Sequence, residues 1–191
     1  MKKNLTLFFF FFQSILFASA QINTFQRFSN RYFVESGSYH GDGIKLAIGA
    51  GFENIYSIEL NHSLYQECKG KFANQPNVTL FQGDSGILLY DVIKNIDEPI
   101  TFWLDGHYMG GNDTSLGEDY SPLLKELNAI KKHHIKNHTI LIDDVRQFGT
   151  IWFNFLSLDT IIAKILEINP SYKIFFVDGY VRNDILIAQV Q

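Results

Sequence analysis

Five apolar runs in this sequence each give way to a carboxylate. They end in Glu35-Ser36-Gly37-Ser38, Glu59, Gly83-Asp84-Ser85, Asp105-Gly106-His107 and Asp143-Asp144. A single acidic residue at a strand end is an ordinary solvated rim, whereas one at every strand end points to a shared ligand site. The first group lies in a glycine turn, with Gly37, Gly41 and Gly43 spaced G-x-x-x-G-x-G. A pyrophosphate turn needs G-x-G-x-x-G, so that backbone approaches the phosphates and a helix N-terminus faces them. The spacing here differs, and the charge of Glu35 would oppose a phosphate. The turn therefore suits a ligand with a cationic or hydroxyl-rich portion, or else tight strand–helix packing alone. Glu59 follows Gly37 by about the interval at which an acidic side chain accepts from ribose hydroxyls.

Asp105, Asp143 and Asp144 close two runs expected to lie side by side. Three carboxylates over one cavity would bind a hard divalent cation such as Mg²⁺ through oxygen. The plainer reading is that Asp143 caps the next segment and Asp144 pairs with Arg146. His107, two residues beyond Asp105, is a candidate general base near neutral pH. His133, His134 and His138 surround a helix end, where the dipole favours a cation, and a ligand role is not expected of them. The sole cysteine, Cys68, excludes an intramolecular disulfide and a cysteine-based zinc site, and reads as an inert, half-buried thiol.

These residues need elements to hold them. After residue 30, strand-like runs (RYFVES, NIYSIEL, NVTLFQ, PITFWLD, HTILID) alternate with helical patterns (GIKLAIGAG, HSLYQECKGKF, GILLYDVIKNI, SPLLKELNAIKKH). The fourth run is almost wholly apolar, as in a sheet covered on both faces, with Phe102 and Trp103 read as core. FLSLDTIIAKILEINP reads as a further helix stopped by Pro170, and YKIFFVDGYVRNDILIAQV as two strands joined around Asp178-Gly179. Alternation of this kind predicts an α/β fold with a mostly parallel sheet and a C-terminal antiparallel hairpin. Ligands in such sheets bind beyond the carboxyl ends of the strands. The long polar stretch GHYMGGNDTSLGEDY, between the fourth run and its helix, is a candidate lid.

The stretch FVESGSYHGDGIKLAIGAGFENIYSIEL, followed in order by LFQGDS, FWLDGHY and ILIDD, resembles the class I S-adenosylmethionine-dependent methyltransferases. It is most similar to a small-molecule branch whose first motif reads E-[ST]-G-[ST]-x-x-G-x-[GS], and the likeness covers roughly residues 31 to 148. The resemblance implies a Rossmann-like, doubly wound sheet. It also implies that Glu35, Gly37, Ser38 and Gly41 line the amino-acid portion of the cofactor, that Glu59 takes the ribose, and that Asp84 and Ser85 meet the adenine edge. Asp105, Asp143 and Asp144 are similar in pattern to the cation site of metal-dependent sugar and catechol O-methyltransferases. One departure stands out: many class I enzymes carry a glycine where this chain has Tyr39.

The totals fit a single domain of 191 residues, with 46% hydrophobic and 19% charged residues. A net charge of -4 without a basic run disfavours nucleic acid as an obligate partner. Residues 1 to 20 differ in kind: Lys2 and Lys3, a short apolar run with five consecutive phenylalanines, then Ala18-Ser19-Ala20. That pattern reads as a secretory signal peptide or N-terminal anchor, with residues 21 to 191 as the domain and any membrane contact through the leader alone. The expected function is methyl transfer from S-adenosylmethionine to a small-molecule acceptor, with a hydroxyl favoured by the expected Mg²⁺. The alternative is an exported, non-catalytic methyltransferase-like binding protein, since this cofactor is made in the cytosol.

Overall fold

The computed structural model describes residues 23–110 and 114–191. The expected leader, residues 1 to 20, lies outside the described residues. Seven strands form one sheet: β1 Tyr32–Ser36, β2 Asn54–Glu59, β3 Val78–Gln82, β4 Ile100–Leu104, β5 Thr139–Ile142, β6 Tyr172–Val177 and β7 Ile185–Val190. Their order is β3-β2-β1-β4-β5-β7-β6. β1 to β5 pair in parallel, and β7 runs antiparallel to both β5 and β6. The chain thus winds outward from β1 to β3, returns to start β4 on the other side of β1, and winds out again. That reversal between β1 and β4 opens a crevice at their carboxyl ends.

Among the described residues, the helices of nine or more residues that cover the sheet are α1 Asp42–Ala50, α2 His62–Lys71, α3 Ser85–Ile93, α4 Leu123–Lys132 and α5 Leu158–Ile168. The pleat sends successive strand residues to opposite faces, which explains the continuous apolar runs. Val34, Phe102, Ile140 and Leu186 join one core with Leu89, Leu127 and Ile165 of α3, α4 and α5. Phe33, Trp103, Leu141 and Ile187 join the other with Ile44 of α1 and Cys68 of α2. A helical turn over residues 23–27 seals this second face. Its Phe25 is fully buried, with ring centroids 5.1 Å from Phe33 and 5.0 Å from Trp103. Burial of one such phenylalanine stabilises by roughly 1.5–3 kcal/mol. Among the described residues, no helix is long and apolar enough to cross a membrane.

Helix boundaries follow local chemistry. Gly41 (φ 81°) and Gly51 (φ 89°) bracket α1 in left-handed conformations. The side chains of Asn61, Asp84 and Ser157 accept from backbone N–H groups at the starts of α2, α3 and α5. Pro122 sits just before α4, where its missing N–H costs no helical hydrogen bond.

Three expectations need correction. The final two strands are not joined by a two-residue Asp-Gly turn; the link spans residues 178–184 and is held by Asn183 N–H donating to Asp178 Oδ1 and by the buried Asp184. Cys68 is wholly buried, not half-buried, and burial pushes its thiol up to about 11. His133 and His138 are not the cations that a helix end would favour. They are buried 3.0 Å apart, and burial pushes His138 down to about 3. There they act as neutral connectors: Ile100 N–H donates to His138 Nδ1, and His133 Nε2 faces the Ile93 carbonyl.

Candidate active site

A cavity of about 550 Å³ opens at the carboxyl ends of β1 to β5, where the reversal of strand order predicts it. Its wall begins at the turn after β1. Gly37 has φ 82°, its N–H donates to the Ile58 carbonyl at 2.9 Å, and a Cβ there would stand 2.5 Å from the Asp105 carbonyl oxygen. Only glycine allows the turn and the end of β4 to come this close. Tyr39 takes up φ 45° without being glycine, with its side chain about half exposed. The left-handed bend is therefore kept despite the substitution.

Glu59 ends β2 and faces the cavity. Its Oε2 accepts from Tyr39 N–H at 2.9 Å and its Oε1 from Asn61 N–H at 2.7 Å, so both oxygens are fixed before any ligand arrives. Burial raises its pKa, and those backbone donors oppose the rise. Asp84 lines the cavity while its Oδ1 caps α3 through Gly86 N–H at 2.8 Å. Ser85 also lines the cavity, but its hydroxyl donates to Glu126 Oε1 at 2.6 Å.

Glu35, Ser38 and Gly41, expected on the wall, stand behind it. The Ser57 hydroxyl donates to Glu35 Oε2 and lies 2.6 Å from Ser38 Oγ, which makes a buried polar chain under the turn. Burial pushes Glu35 up to about 8, with the Ser57 hydroxyl opposing. Gly41 makes room for the Phe72 ring, which a Cβ would approach to 2.5 Å. These residues shape the turn from beneath.

At the opposite end of the cavity, Asp105, His107, Asp143, Asp144 and Arg146 share one wall. His107 Nε2 lies 3.0 Å from Asp144 Oδ2, and Nδ1 lies 3.5 Å from Asp105 Oδ1. Neither ring nitrogen is aligned for a hydrogen bond, so these contacts are electrostatic. Burial works against the imidazolium, but the two carboxylates outweigh it and lift His107 to about 9. At neutral pH the ring thus carries a proton, which removes the simple general-base role expected of it. Burial also raises Asp105, and it pushes Asp143 up to about 8 with help from the charges of Asp105 and Asp144.

The Mg²⁺ trio does not assemble. Among the described residues, ligand atoms within 4.8 Å of one another form two groups, Asp105–His107–Asp144 and Asp143–Asp144–Asp184. Asp105 and Asp143 fall in different groups. The second group already holds a cation: Arg146 Nη1 contacts Asp144 Oδ1 at 2.5 Å and also Asp184. The pairing of Asp144 with Arg146, set against a ligand role from sequence, is thus present. Among the described residues, Asp105, Asp143 and Asp144 therefore do not converge as one all-oxygen group.

The loop after β4 supplies residues that the sequence did not single out. Tyr108, Met109, Tyr120 and Pro122 line the cavity, as do Lys125 from the following helix α4 and Tyr180 from the link between β6 and β7. Tyr108 N–H donates to the Tyr120 carbonyl at 2.7 Å, and both rings lean on Trp152 at 6.2 and 6.0 Å. Asn154 bolts this strap down: its Oδ1 accepts from Tyr120 N–H and its Nδ2 donates to the Ser121 carbonyl. The length and polarity of GHYMGGNDTSLGEDY marked the loop, but not which of its side chains turn inward.

No family model and no curated protein matches the sequence. Solved structures do. An S-adenosylhomocysteine-bound methyltransferase of Podospora anserina, PaMTH1, is 13% identical with a TM-score of 0.61, covering 91% of this chain and 77% of that one. The O-methyltransferase TomG of Streptomyces achromogenes, in complex with S-adenosylmethionine, is 12% identical with a TM-score of 0.63, covering 91% and 79%. An O-methyltransferase of Bacillus cereus with S-adenosylhomocysteine is 14% identical with a TM-score of 0.60, covering 91% and 80%. This chain has the class I methyltransferase fold, a mostly parallel seven-stranded sheet with an antiparallel C-terminal pair.

Proposed function

We propose that this chain transfers a methyl group from S-adenosylmethionine to a hydroxyl of a small-molecule acceptor. One arrangement carries the reading: Glu59, with both oxygens already oriented, shares a wall with the Gly37 turn in the cavity at the strand ends. Ribose hydroxyls would donate to the remaining lone pairs of Glu59, and the adenine edge would meet Asp84. Asp144, kept ionised against its burial by His107 and Arg146, offers the sulfonium a negative charge at the other end. The acceptor would enter between the Tyr108–Tyr120 strap and Tyr180. As the acceptor oxygen attacks in line, its bond to the methyl carbon forms while the carbon–sulfur bond breaks. Asp105, its pKa raised by burial, accepts the hydroxyl proton, and the neighbouring His107 imidazolium steadies the array. Positioning supplies much of the acceleration in such a transfer. The O-methyltransferase names of two structural neighbours support a hydroxyl acceptor.

Calorimetric titration of the full chain with S-adenosylmethionine and S-adenosylhomocysteine tests this reading. Both should bind, and Glu59→Gln should weaken them about tenfold, or roughly 1.4 kcal/mol. Absence of binding by either would sink it.

The N-terminal segment favours a second reading, an exported methyltransferase-like binding protein without catalysis. It predicts that protein from the native host begins near Gln21 and binds ligand without turnover. A mature N-terminus at Met1 would remove it.

A further inference from the structure

We propose that the acceptor is an uncharged amphiphile: a hydroxyl-bearing head on an apolar body long enough to leave the cavity and lie on its rim. This names the acceptor class within the methyl-transfer reading and rests on it. The carrying observation is where the exposed apolar surface lies. Among the described residues, every exposed large apolar or aromatic side chain except Leu166 of α5 stands at the carboxyl end of the sheet. They come from the turn after β1, the first turn of α3, the loops after β4 and β5, and the link after β6. Tyr39, Met109 and Tyr180 belong to both surfaces, since each lines the cavity and is 46 to 77% exposed. Leu116 is also exposed and lies between the lining residues Ser115 and Gly117. The rim therefore continues the cavity outward, and a contiguous apolar patch of this kind marks a binding surface.

Phe155 is held on this rim by specific contacts. It is 69% exposed and follows Asn154 into the left-handed region, at φ 58° after φ 51°. Neither residue is glycine, so the bend is costly for both. Two anchors keep it: Phe155 N–H donates to the Thr150 carbonyl at 2.8 Å, and Asn154 Oδ1 accepts from Tyr120 N–H at 3.1 Å. An aromatic ring is thus fastened in solvent beside the strap where the acceptor enters, and an apolar body would cover it. Charge decides the kind of body. Among the described residues, the lining cations are already engaged: Lys125 by Glu118 and Asp119, Arg146 by Asp144 and Asp184, and His107 by Asp105 and Asp144. Glu59, Asp84 and Asp143 add carboxyl groups to the same wall. An acceptor carried on a phosphate or a nucleotide thioester would meet like charge there, whereas a neutral apolar body would not.

The test uses the full chain saturated with S-adenosylhomocysteine and titrated by calorimetry with para-ethylphenol, para-butylphenol and para-octylphenol, each below its micelle-forming concentration. Caffeoyl-coenzyme A is the anionic comparator. Affinity should rise ~2- to 4-fold per added methylene, and at least ~30-fold from the ethyl to the octyl compound. Leu116→Ser and Phe155→Ser together should weaken the octyl compound ~10-fold and leave para-ethylphenol and S-adenosylhomocysteine within ~2-fold. Caffeoyl-coenzyme A should bind at least ~10-fold more weakly than para-octylphenol. Circular dichroism checks that the double variant folds; should it fail to fold, the chain-length series on the unaltered chain decides. Absent binding of para-octylphenol, affinity independent of chain length, an octyl advantage that the two substitutions leave intact, or equal binding of caffeoyl-coenzyme A would each overturn the proposal. Failure of S-adenosylhomocysteine itself to bind would sink the methyl-transfer reading, whereas a flat series with that ligand bound overturns the acceptor class alone.

Discussion

Glu35→Gln should remove the pH dependence of stability that one buried carboxyl imposes. Glu35 is 1% exposed beneath the glycine turn, and burial lifts it from an ordinary 4.5 to about 8. Between those values the folded chain holds a proton that the unfolded chain releases. Stability contributed by the protonated group is fully present below pH 4.5 and is lost as pH rises through 8. The slope is about 1.4 kcal/mol per pH unit, so the loss approaches ~5 kcal/mol by pH 8. Glutamine keeps an oxygen to accept the Ser57 hydroxyl and never ionises. Urea denaturation of both proteins at pH 5, 6, 7 and 8 isolates the effect in their difference. The variant should gain on the parent steadily with pH and exceed it by several kcal/mol at pH 8. A difference that stays flat across the series would refute the reasoning, because it would mean that Glu35 is ionised and solvated in the folded chain.

Gly37→Ala should destabilise the chain by roughly 2–4 kcal/mol and abolish cofactor-type binding, because a Cβ would meet the Asp105 carbonyl at 2.5 Å from a left-handed backbone. Chemical denaturation with a parallel S-adenosylhomocysteine titration checks it. Asp184→Asn should cost about 3 kcal/mol by leaving Arg146 half-paired against a buried amide, seen as a lower urea midpoint at unchanged slope. Asn154→Ala should cost roughly 2–4 kcal/mol overall, since it removes two hydrogen bonds to the strap and puts alanine at φ 51°. Amide exchange across residues 106–110 and 114–121 should speed up while β1 and β4 stay protected.

The sheet was legible because a strand covered on both faces must be apolar at nearly every position, as ITFWL and TILI are. The carboxyl ends of those strands named the cavity wall at Gly37, Glu59, Asp84 and Asp105. Depth was not legible. Glu35, Ser38 and Gly41 belong to the same motif as Gly37, but the turn at φ 82° sends them beneath the surface that Gly37 forms. The aspartate trio failed for a conformational reason. Asp144, in the left-handed region at φ 62°, groups with Asp143 and Asp184 on one side and with Asp105 and His107 on the other, but Asp105 and Asp143 share no group. Aspartate tolerates that region better than most residues, but nothing in the residue types fixes where it is used. The link at 178–184 looked like a tight turn because Asp178-Gly179 is a turn pair; the buried pairing of Asp184 with Arg146, distant in sequence, fixes a longer path.

Because the two oxygens of Asp144 serve different neighbours, the residue couples the far hairpin to the reacting wall. Asp184 holds Arg146, Arg146 holds one oxygen of Asp144, and the other oxygen faces His107. Substitutions in the exposed stretch around Tyr180 and Val181 are therefore not neutral decoration. By loosening or tightening the grip on Arg146, they reset how much negative charge Asp144 presents to the cavity. The reactivity of this centre can drift during evolution, or be adjusted by an engineer, from positions in that link such as Val181, which does not line the cavity.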